Sequence, residues 1–443
     1  DYNLKNQTGE LNNSFYISEE THGHGRAEHI ERTSPNVMLM QNATYSTCPP
    51  EQNPTWKLQA KQIEINQDTG RGVTKGTKLY IKNTPVLAVP YFNFPIDDRR
   101  TTGLLTPSFG FTNDGGLELA APVYLNLAPN YDATVTPRYI GNRGLMAEGE
   151  FRYLTENFGG GRIWGGYLPS DKDYNDEDRK DLHYLHNWKI DDQWSTNLEY
   201  NYVSDKDFFT DLDNDPNTRT ELNQRRAWQL NYGNGIPGLK AQLRVEDFQT
   251  IDPDLADIDR PYARLPQLLV NYTKGDVQGL EFEFNNDTAY FKKNIRDFEN
   301  QAEPNGTRIF NEMALRYNLK QPWGFVVPEV SVRSLNNFYD QDTVENTNFR
   351  SNSEDKSVVV PQFTLDTGLT FEREGKYLQT LSPRAFYAYA PHQNQDDYPN
   401  FDSTAASLNY DQLFNPKRFY GHDRLEDNNF LSLGLSYSLF GTT

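Results

Sequence analysis

Catalysis and metal binding need side chains that can attack, ligate or move a proton, and this sequence places few of them at a usable spacing. Its one cysteine, Cys48, has no second thiol within the chain and no companions at structural-zinc spacing. It is either a free thiol or half of a bridge. His22 and His24 would point to one side of a strand, as two metal ligands do, but no third ligand stands nearby. They read as solvated surface. Asp211, Asp213 and Asp215 imitate the start of a calcium loop, yet Pro216 replaces the required glycine and Leu222 sits where the bidentate glutamate belongs. No Gly-x-Ser-x-Gly or HExxH occurs, and Gly70 to Lys78 lacks the Gly-Lys-Ser/Thr order of a phosphate-binding loop. Neither a catalytic site nor a cofactor is expected.

Proline is placed more suggestively. Pro107 and Pro122 are fifteen residues apart, in what read as the first and second strands of a large sheet. A proline has no N–H, so each removes a ladder bond, which sheets tolerate at edges and bulges. The plain alternative is an ordinary strand-start or bulge proline, and Pro137, another fifteen residues on, complicates the pattern.

The elements that must carry these residues are strands. Across 443 residues the net charge is −19, and no basic run interleaved with aromatics appears, so nucleic acid is not expected as a partner. Hydrophobic residues make up only 36%, too few for a conventional thick core, whereas 27 Tyr and 26 Phe speak against disorder. No stretch reaches the ~18 apolar residues of a spanning helix. Instead, period-two alternation dominates: Leu431, Leu433, Leu435, Tyr437 and Leu439 alternate with Ser432, Gly434, Ser436 and Ser438. Leu280, Phe282 and Phe284 alternate with Glu281 and Glu283 in the same way.

From residue 104 onward, short turns (near 129–131, 190–193, 233–238, 274–278, 320–324 and 374–376) alternate with generally longer breaks (171–181, 204–222, 251–262, 295–306, 339–357 and 391–416). An up-and-down antiparallel barrel crossing a bilayer, with short turns on one side and long loops on the other, writes this pattern; the count gives about sixteen strands. The acidic residues of the long breaks, among them Asp171, Asp173, Asp176, Asp252 and Asp254, read as solvated.

Residues 1–98 differ, with strand-like segments recurring at roughly twenty-residue intervals. In segment 37–45, alternation puts Val37, Leu39, Ala43 and Tyr45 on one face and Met38, Met40, Asn42 and Thr44 on the other, and the first face is expected to line an interior. Residues 99–103 follow as a hinge, after Pro90, Pro95, Asp97 and Asp98.

The run Pro90-Tyr91-Phe92-Asn93-Phe94-Pro95, together with Arg99-Arg100-Thr101-Thr102-Gly103-Leu104-Leu105-Thr106-Pro107, Ala128-Pro129-Asn130-Tyr131-Asp132-Ala133-Thr134 and Phe151-Arg152-Tyr153-Leu154, resembles the LptD family of outer-membrane lipopolysaccharide-assembly proteins. Leu168-Pro169-Ser170-Asp171, Pro361-Gln362-Phe363 and Arg418-Phe419-Tyr420-Gly421 extend the likeness. The resemblance implies an all-β fold: part of a periplasmic β-jellyroll over 1–98, the hinge 99–103, and the N-terminal portion of a large transmembrane β-barrel over 104–443. Measured against the family, the chain is truncated at both ends and is not expected to close its barrel.

The resemblance further implies a non-enzymatic translocon for lipopolysaccharide, located in the outer membrane with its N-terminal domain in the periplasm. Acyl chains would follow an apolar jellyroll path, assigned here to Phe15, Ile17, Val37, Leu39 and Tyr45, and leave through a lateral gate, the seam between the first and last strands, weakened by Pro107 and Pro122. For the path residues alone, a closed core is the competing reading. Thr47-Cys48-Pro49 matches the jellyroll half of a family disulfide whose partner is absent from this chain. Implied partners are lipopolysaccharide, outer-membrane lipids, the plug lipoprotein LptE in the lumen, and the periplasmic bridge protein LptA at a jellyroll edge. A general porin or receptor channel is the alternative function.

Overall fold

The computed structural model describes residues 2–3, 5–17, 23–49, 54–96, 99–112, 115–212, 222–293, 304–340, 355–375 and 377–441. His22, Asp97, Asp98, Asp213, Asp215 and Pro216 lie outside the described residues. The chain divides into two compact units, Asp1–Leu154 with Arg162–Lys180, and Thr155–Gly161 with Asp181–Thr443.

The first unit opens with seven strands: β1 (Tyr2–Asn3), β2 (Thr8–Ile17), β3 (His24–Ser34), β4 (Val37–Tyr45), β5 (Trp56–Asn66), β6 (Arg71–Ile81) and β7 (Thr84–Pro95). Each pairs with its neighbour in sequence. Residues directly opposite one another in an antiparallel ladder share a face, so the register sorts the side chains. Leu11, Ile30, Met40, Ile63, Thr74 and Phe92 form one row. Tyr45, Leu58, Leu79 and Leu87 form another.

The alternation within these strands is not uniform. Asn13 and Asn42 have φ of 47° and Gly76 has φ of 61°, one each on β2, β4 and β6, and each stands at a position missing from its strand's pairing. A left-handed residue inside a strand offsets the period-two pattern, and Asn and Gly are the types that adopt it at low cost. Met40 and Ala43, an odd number of residues apart, therefore pack in one cluster with Ala27, Ile30, Ala60 and Ile63. Replacing Asn42 with Val is expected to cost about 1–2 kcal/mol, whereas Asn42→Gly should be close to neutral. Thermal unfolding of the full-length protein in detergent reads the difference, and equal melting of the two variants would remove the left-handed turn as the cause of the offset.

Beyond β7 the chain is bolted down. Arg99 donates to the carbonyls of Asp68 and Gln67, and Arg71 Nη2 donates to Thr102 O at 2.7 Å. Arg100 donates to Tyr124 Oη, to Pro129 O and to Asp132. The expected hinge is thus cross-braced to both β-structures it joins within this unit. The strands it leads into are β8 (Gly103–Leu104), β9 (Ser108–Thr112), β10 (Gly116–Ala120), β11 (Val123–Ala128), β12 (Tyr131–Ile140), β13 (Gly144–Leu154) and β14 (Gly160–Asp171).

The second unit continues with β15 (Glu177–Lys189, which begins in the first unit), β16 (Trp194–Val203), β17 (Asn223–Tyr232), β18 (Leu239–Thr250), β19 (Ala263–Val277) and β20 (Leu280–Lys292). Next come β21 (Gly306–Tyr317), β22 (Leu319–Gln321), β23 (Gly324–Tyr339), β24 (Lys356–Leu369), β25 (Phe371–Arg373) and β26 (Tyr377–Ala390). The short pair β27 (Thr404–Ala405) and β28 (Phe419–Tyr420) precedes the last strand, β29 (Asn428–Gly441).

The all-β class is as expected. β8–β26 with β29 make up a large antiparallel sheet of twenty segments. Four of these continue a strand across a break, β9 after β8, β11 after β10, β22 after β21 and β25 after β24, which leaves sixteen strands among the described residues. Pairing gives each strand two chemically distinct faces. Phe282, Leu315, Val330, Phe363 and Tyr389 lie in one cross-strand row of the second unit. On the other face, Arg316 bridges Glu281 and Glu329 at 2.6 Å each. The apolar face is the exposed one, with Leu433 at 75%, which is how a sheet bordered by hydrocarbon is built.

Candidate functional site

Three features stand out: an apolar face on the N-terminal sheet, a break in the first ladder of the large sheet, and a polar face covered by one long segment.

On the N-terminal sheet the registers divide the five residues expected to line the path between its two faces. Leu39 lies in a row with Glu10, Glu31, Glu64, Val73 and Asn93. Val37, two residues away, pairs with Asn66, which pairs with Arg71. Phe15 pairs with Arg26, and Ile17 with His24; both are more than half exposed. These four occupy the polar face. Of the five assigned residues only Tyr45 lies on the apolar face, beside Ala43 and opposite Leu58. The simple alternation missed Met40, Ala43, Ala60, Ile63, Leu58 and Leu79 because it ran through Asn42 without the offset. A sequence signal existed: Asn13, Asn42 and Gly76 are left-handed formers in the middle of strand-like runs. The apolar face is shallow at its centre, where Ala27, Ala43 and Ala60 are buried, and its polar exceptions satisfy each other, Thr77 Oγ1 donating to Thr74 Oγ1 at 2.6 Å.

Cys48 follows β4 and is partly exposed. Its backbone N–H donates to Ser46 Oγ at 3.1 Å, and its Sγ lies 3.9 Å from Trp56 O. The hydrogen bond from Ser46, then those from the Trp56 and Thr55 region, hold the thiol below its ordinary value, which favours the thiolate that disulfide exchange requires.

The ladder break lies at the two predicted prolines. β8 pairs with β11 at Leu104↔Val123, and β9 pairs with β10 at Ser108↔Ala120. Between these points Leu105, Thr106 and Pro107 face only Ala121 and Pro122, a β-bulge. Leu105 N–H donates to Pro122 O at 2.8 Å. A strand residue's N–H and C=O point to the same side, so the N–H that Pro122 lacks is one that would face the first strand. Pro137 belongs to the next ladder: its carbonyl accepts from Ala121 N–H at 3.1 Å. That second ladder keeps a constant register past the break, from Glu118↔Ile140 to Val123↔Val135.

In the second unit, residues 391–427 between β26 and β29 pack onto the polar face. Phe414 joins Phe386 and Ala388, while Tyr398 and Leu425 join Phe310, Leu335, Val358 and Val360. Phe401 stacks on Phe291 with ring centroids 4.5 Å apart. At the centre, the fully buried Arg308 of β21 holds three carboxylates: Asp287 of β20 at 3.0 Å, and Asp402 and Asp423 of the covering segment at 2.5 and 2.6 Å. Arg333 pairs with Glu426 of the same segment. Burial pushes the Asp402 carboxyl up, but the Arg308 and Arg264 guanidinium groups more than reverse this and hold it well below the usual range. Burial wins at Asp423, whose carboxyl is pushed up. Sequence reasoning missed Arg308, since nothing local distinguishes it from the other arginines of the polar face.

The remaining sequence candidates separate. His24 pairs in the ladder near Phe15, and no group of His, Cys, Asp or Glu able to hold a metal occurs among the described residues. Asp211 sits in the short helix Phe208–Leu212. Asp171 is not solvated as expected: it is buried between Arg143 at 2.8 Å and Arg179 at 3.0 Å, because it ends β14 instead of standing in the loop.

The profile of the family described as "LptD: LPS transport system D" matches residues 177–443. The LPS-assembly protein LptD of Acinetobacter baumannii is 71% identical over 442 residues, covering 100% of this chain and 54% of that protein. The protein of the same name from Psychrobacter cryohalolentis is 39% identical over 460 residues, covering 100% of this chain and 46% of that protein. The chain thus spans about half the length of the curated relatives it matches. Among solved structures, the P pilus usher PapC translocation pore is 10% identical, with a TM-score of 0.33 over 85% of this chain and 92% of that one; at that score the likeness carries no argument.

Proposed function

Because the chain belongs to the LptD family, LPS transport system D, we propose that it is part of an outer-membrane translocon that delivers lipopolysaccharide to the outer leaflet without catalysing a reaction. The observation that carries this reading is the apolar face of the N-terminal sheet. A carrier of acyl chains must present apolar surface, since each buried CH₂ is worth about 0.8 kcal/mol, and the rows Leu11, Ile30, Met40, Ile63 and Phe92, interrupted by Thr74, and Tyr45, Leu58, Leu79 and Leu87 supply it. The lipid path is therefore assigned to this face, with Tyr45 kept from the first assignment and Phe15, Ile17, Val37 and Leu39 moved to its polar back.

The bulge at Pro107 and Pro122 supports a lateral gate at the first strand, because a strand held to the second by a ladder short of donors needs less work to move away from the seam. Cys48, with its thiol disposed to ionise, suits the periplasmic half of a disulfide to a residue beyond this chain. A plug lipoprotein, LptE, and a bridge protein, LptA, are the partners this role calls for; edge-strand pairing is the mode suited to the latter. A diffusion porin or receptor channel makes no use of an apolar N-terminal face.

Photo-crosslinking groups at Met40, Tyr45 and Leu79 of the full-length protein in cells are expected to capture lipopolysaccharide, and those at Leu39 and Phe15 to stay free of it. Capture confined to Leu39 and Phe15 would overturn the path, and capture at none of the five would overturn the delivery role.

A further inference from the structure

The apolar face of the second unit is not smooth. Across β20 to β26 it holds a groove of about 460 Å³, lined by Phe282, Met313, Leu315, Val332, Pro361 and Phe363 among others, and within the roughly 300–1,000 Å³ of small-ligand sites. The registers give its cause. Beside the row Phe282, Leu315, Val330, Phe363 and Tyr389 runs a second one, Phe284, Met313, Val332 and Pro361. In both rows β23 supplies a valine, while β21 supplies the longer Leu315 and Met313 and β24 supplies Phe363. Short side chains between longer ones make a trough that follows β23.

Two residues farther along β23 the chemistry changes. Asn286, Asn311 and Ser334 form the next row of the same face, followed by Thr288, Ile309 and Asn336, so the apolar band ends here. From this row β20 and β23 run on to the long breaks that follow Lys292 and Tyr339, and in barrels of this kind the longer connections are the outer ones. The trough therefore meets the headgroup level on the outer-leaflet side. Asn286 Nδ2 donates to Asn311 Oδ1 at 2.9 Å. Among the described residues Asn311 Nδ2 and Ser334 Oγ donate to no partner, and these two residues stand opposite each other in the ladder.

Inside a bilayer, apolar burial alone does not select an occupant, since lipid tails are as apolar as leucine. Packing still fills the trough, because an unfilled gap forfeits contact energy on one side. The polar end decides which occupant stays. An acyl chain lying along Val330 and Val332 brings its ester or amide carbonyl level with Asn311 and Ser334, which hold the donors to meet it. A protein segment crossing the bilayer keeps its backbone carbonyls bonded within itself, so it has none to offer there.

We propose that this groove is a lipid site, which holds one acyl chain of a resident outer-leaflet lipid by packing along β23 and by a hydrogen bond from Asn311 or Ser334 to the carbonyl of that chain. The site rests on the chain's place in the outer membrane and not on delivery of lipopolysaccharide.

The test uses the full-length protein carrying a small diazirine residue at Met313 or, for comparison, at Leu433 of β29, which is 75% exposed on the same apolar face and lies outside the groove. The probe is the cells' own outer-membrane lipid that survives detergent purification, captured by light and identified by its mass. Capture at Met313 is expected to exceed capture at Leu433 about tenfold, the equivalent of about 1.4 kcal/mol. Val330→Trp fills the trough and should abolish the excess. Asn311→Leu with Ser334→Ala should reduce it about fivefold, as loss of one hydrogen bond would, and heat-dependent gel migration shows that both variants fold. Equal capture at Met313 and Leu433 would overturn the site, as would an excess unchanged in both variants or capture of a protein at Met313. Stopping the supply of new lipopolysaccharide separates a resident lipid from cargo: the capture at Met313 should persist, and its loss would overturn residency. Lipid captured at Met313 with no lipopolysaccharide captured at Met40 or Tyr45 would support the site and count against the delivery role alone.

Discussion

Arg308→Met is expected to release residues 391–427 from the polar face. In the native arrangement one guanidinium offsets three carboxylates at 2.5–3.0 Å, in a place where Asp423 has no solvent exposure. Methionine keeps most of the volume and removes all of the charge. Removing one partner of a buried ionic group typically costs about 3–5 kcal/mol, because the charges left behind are neither solvated nor paired. The remaining contacts, Phe401 on Phe291 and Arg333 with Glu426, then compete with water for a segment whose anchor has become repulsive. Limited proteolysis within 391–427 should speed up by two orders of magnitude or more, the ratio corresponding to about 3 kcal/mol. Arg308→Lys should fall in between, since an ammonium keeps the charge but not the fork that reaches two sites at once. Adding Asp402→Asn and Asp423→Asn to Arg308→Met should restore much of the protection, and that non-additivity identifies the cluster, not side-chain volume, as the cause. Protection unchanged in Arg308→Met would reject the anchor.

The contrast between this cluster and the strands shows what a sequence discloses. The row Leu431, Leu433, Leu435, Tyr437 and Leu439 is legible because period-two alternation is a local consequence of the pleat, and the paired strand keeps it over its full length. The alternation of turn and loop lengths is legible for a similar reason: up-and-down connectivity fixes which connections share a side. Asn42 marks the limit of that reasoning. A single left-handed residue shifts the phase of everything after it, so a face assigned on either side of position 42 by counting alone is wrong on one of them. Arg308 lies beyond that limit altogether, since its partners are 21, 94 and 115 residues away. Their meeting depends on how a long connection folds back, which no local period encodes. Asp171 is a milder case: an acidic residue at a strand end looks solvated until Arg143, 28 residues before it, and Arg179, eight residues after it, close over it.

Pro107 and Pro122 offer the second large effect. Three residues of the first strand face two of the second at the bulge, and Pro122 turns the side without a donor toward the first strand. Pro107→Ala with Pro122→Ala returns two N–H groups to this region. If both find carbonyls, the gain is about 1–3 kcal/mol, at roughly 0.5–1.5 per bond, and local opening becomes about five- to 150-fold rarer. Amide exchange at Leu105 and Thr106 should slow by that factor, and delivery of lipopolysaccharide to the cell surface should fall with it. Pro137→Ala is the control, because its missing donor faces the second strand, in a ladder whose register is already continuous. It should slow exchange locally and leave delivery unchanged. Slower exchange in the double variant with undiminished surface lipopolysaccharide would show that the bulge is only a structural accommodation of proline, and the lateral gate would then have to be sought elsewhere in the wall.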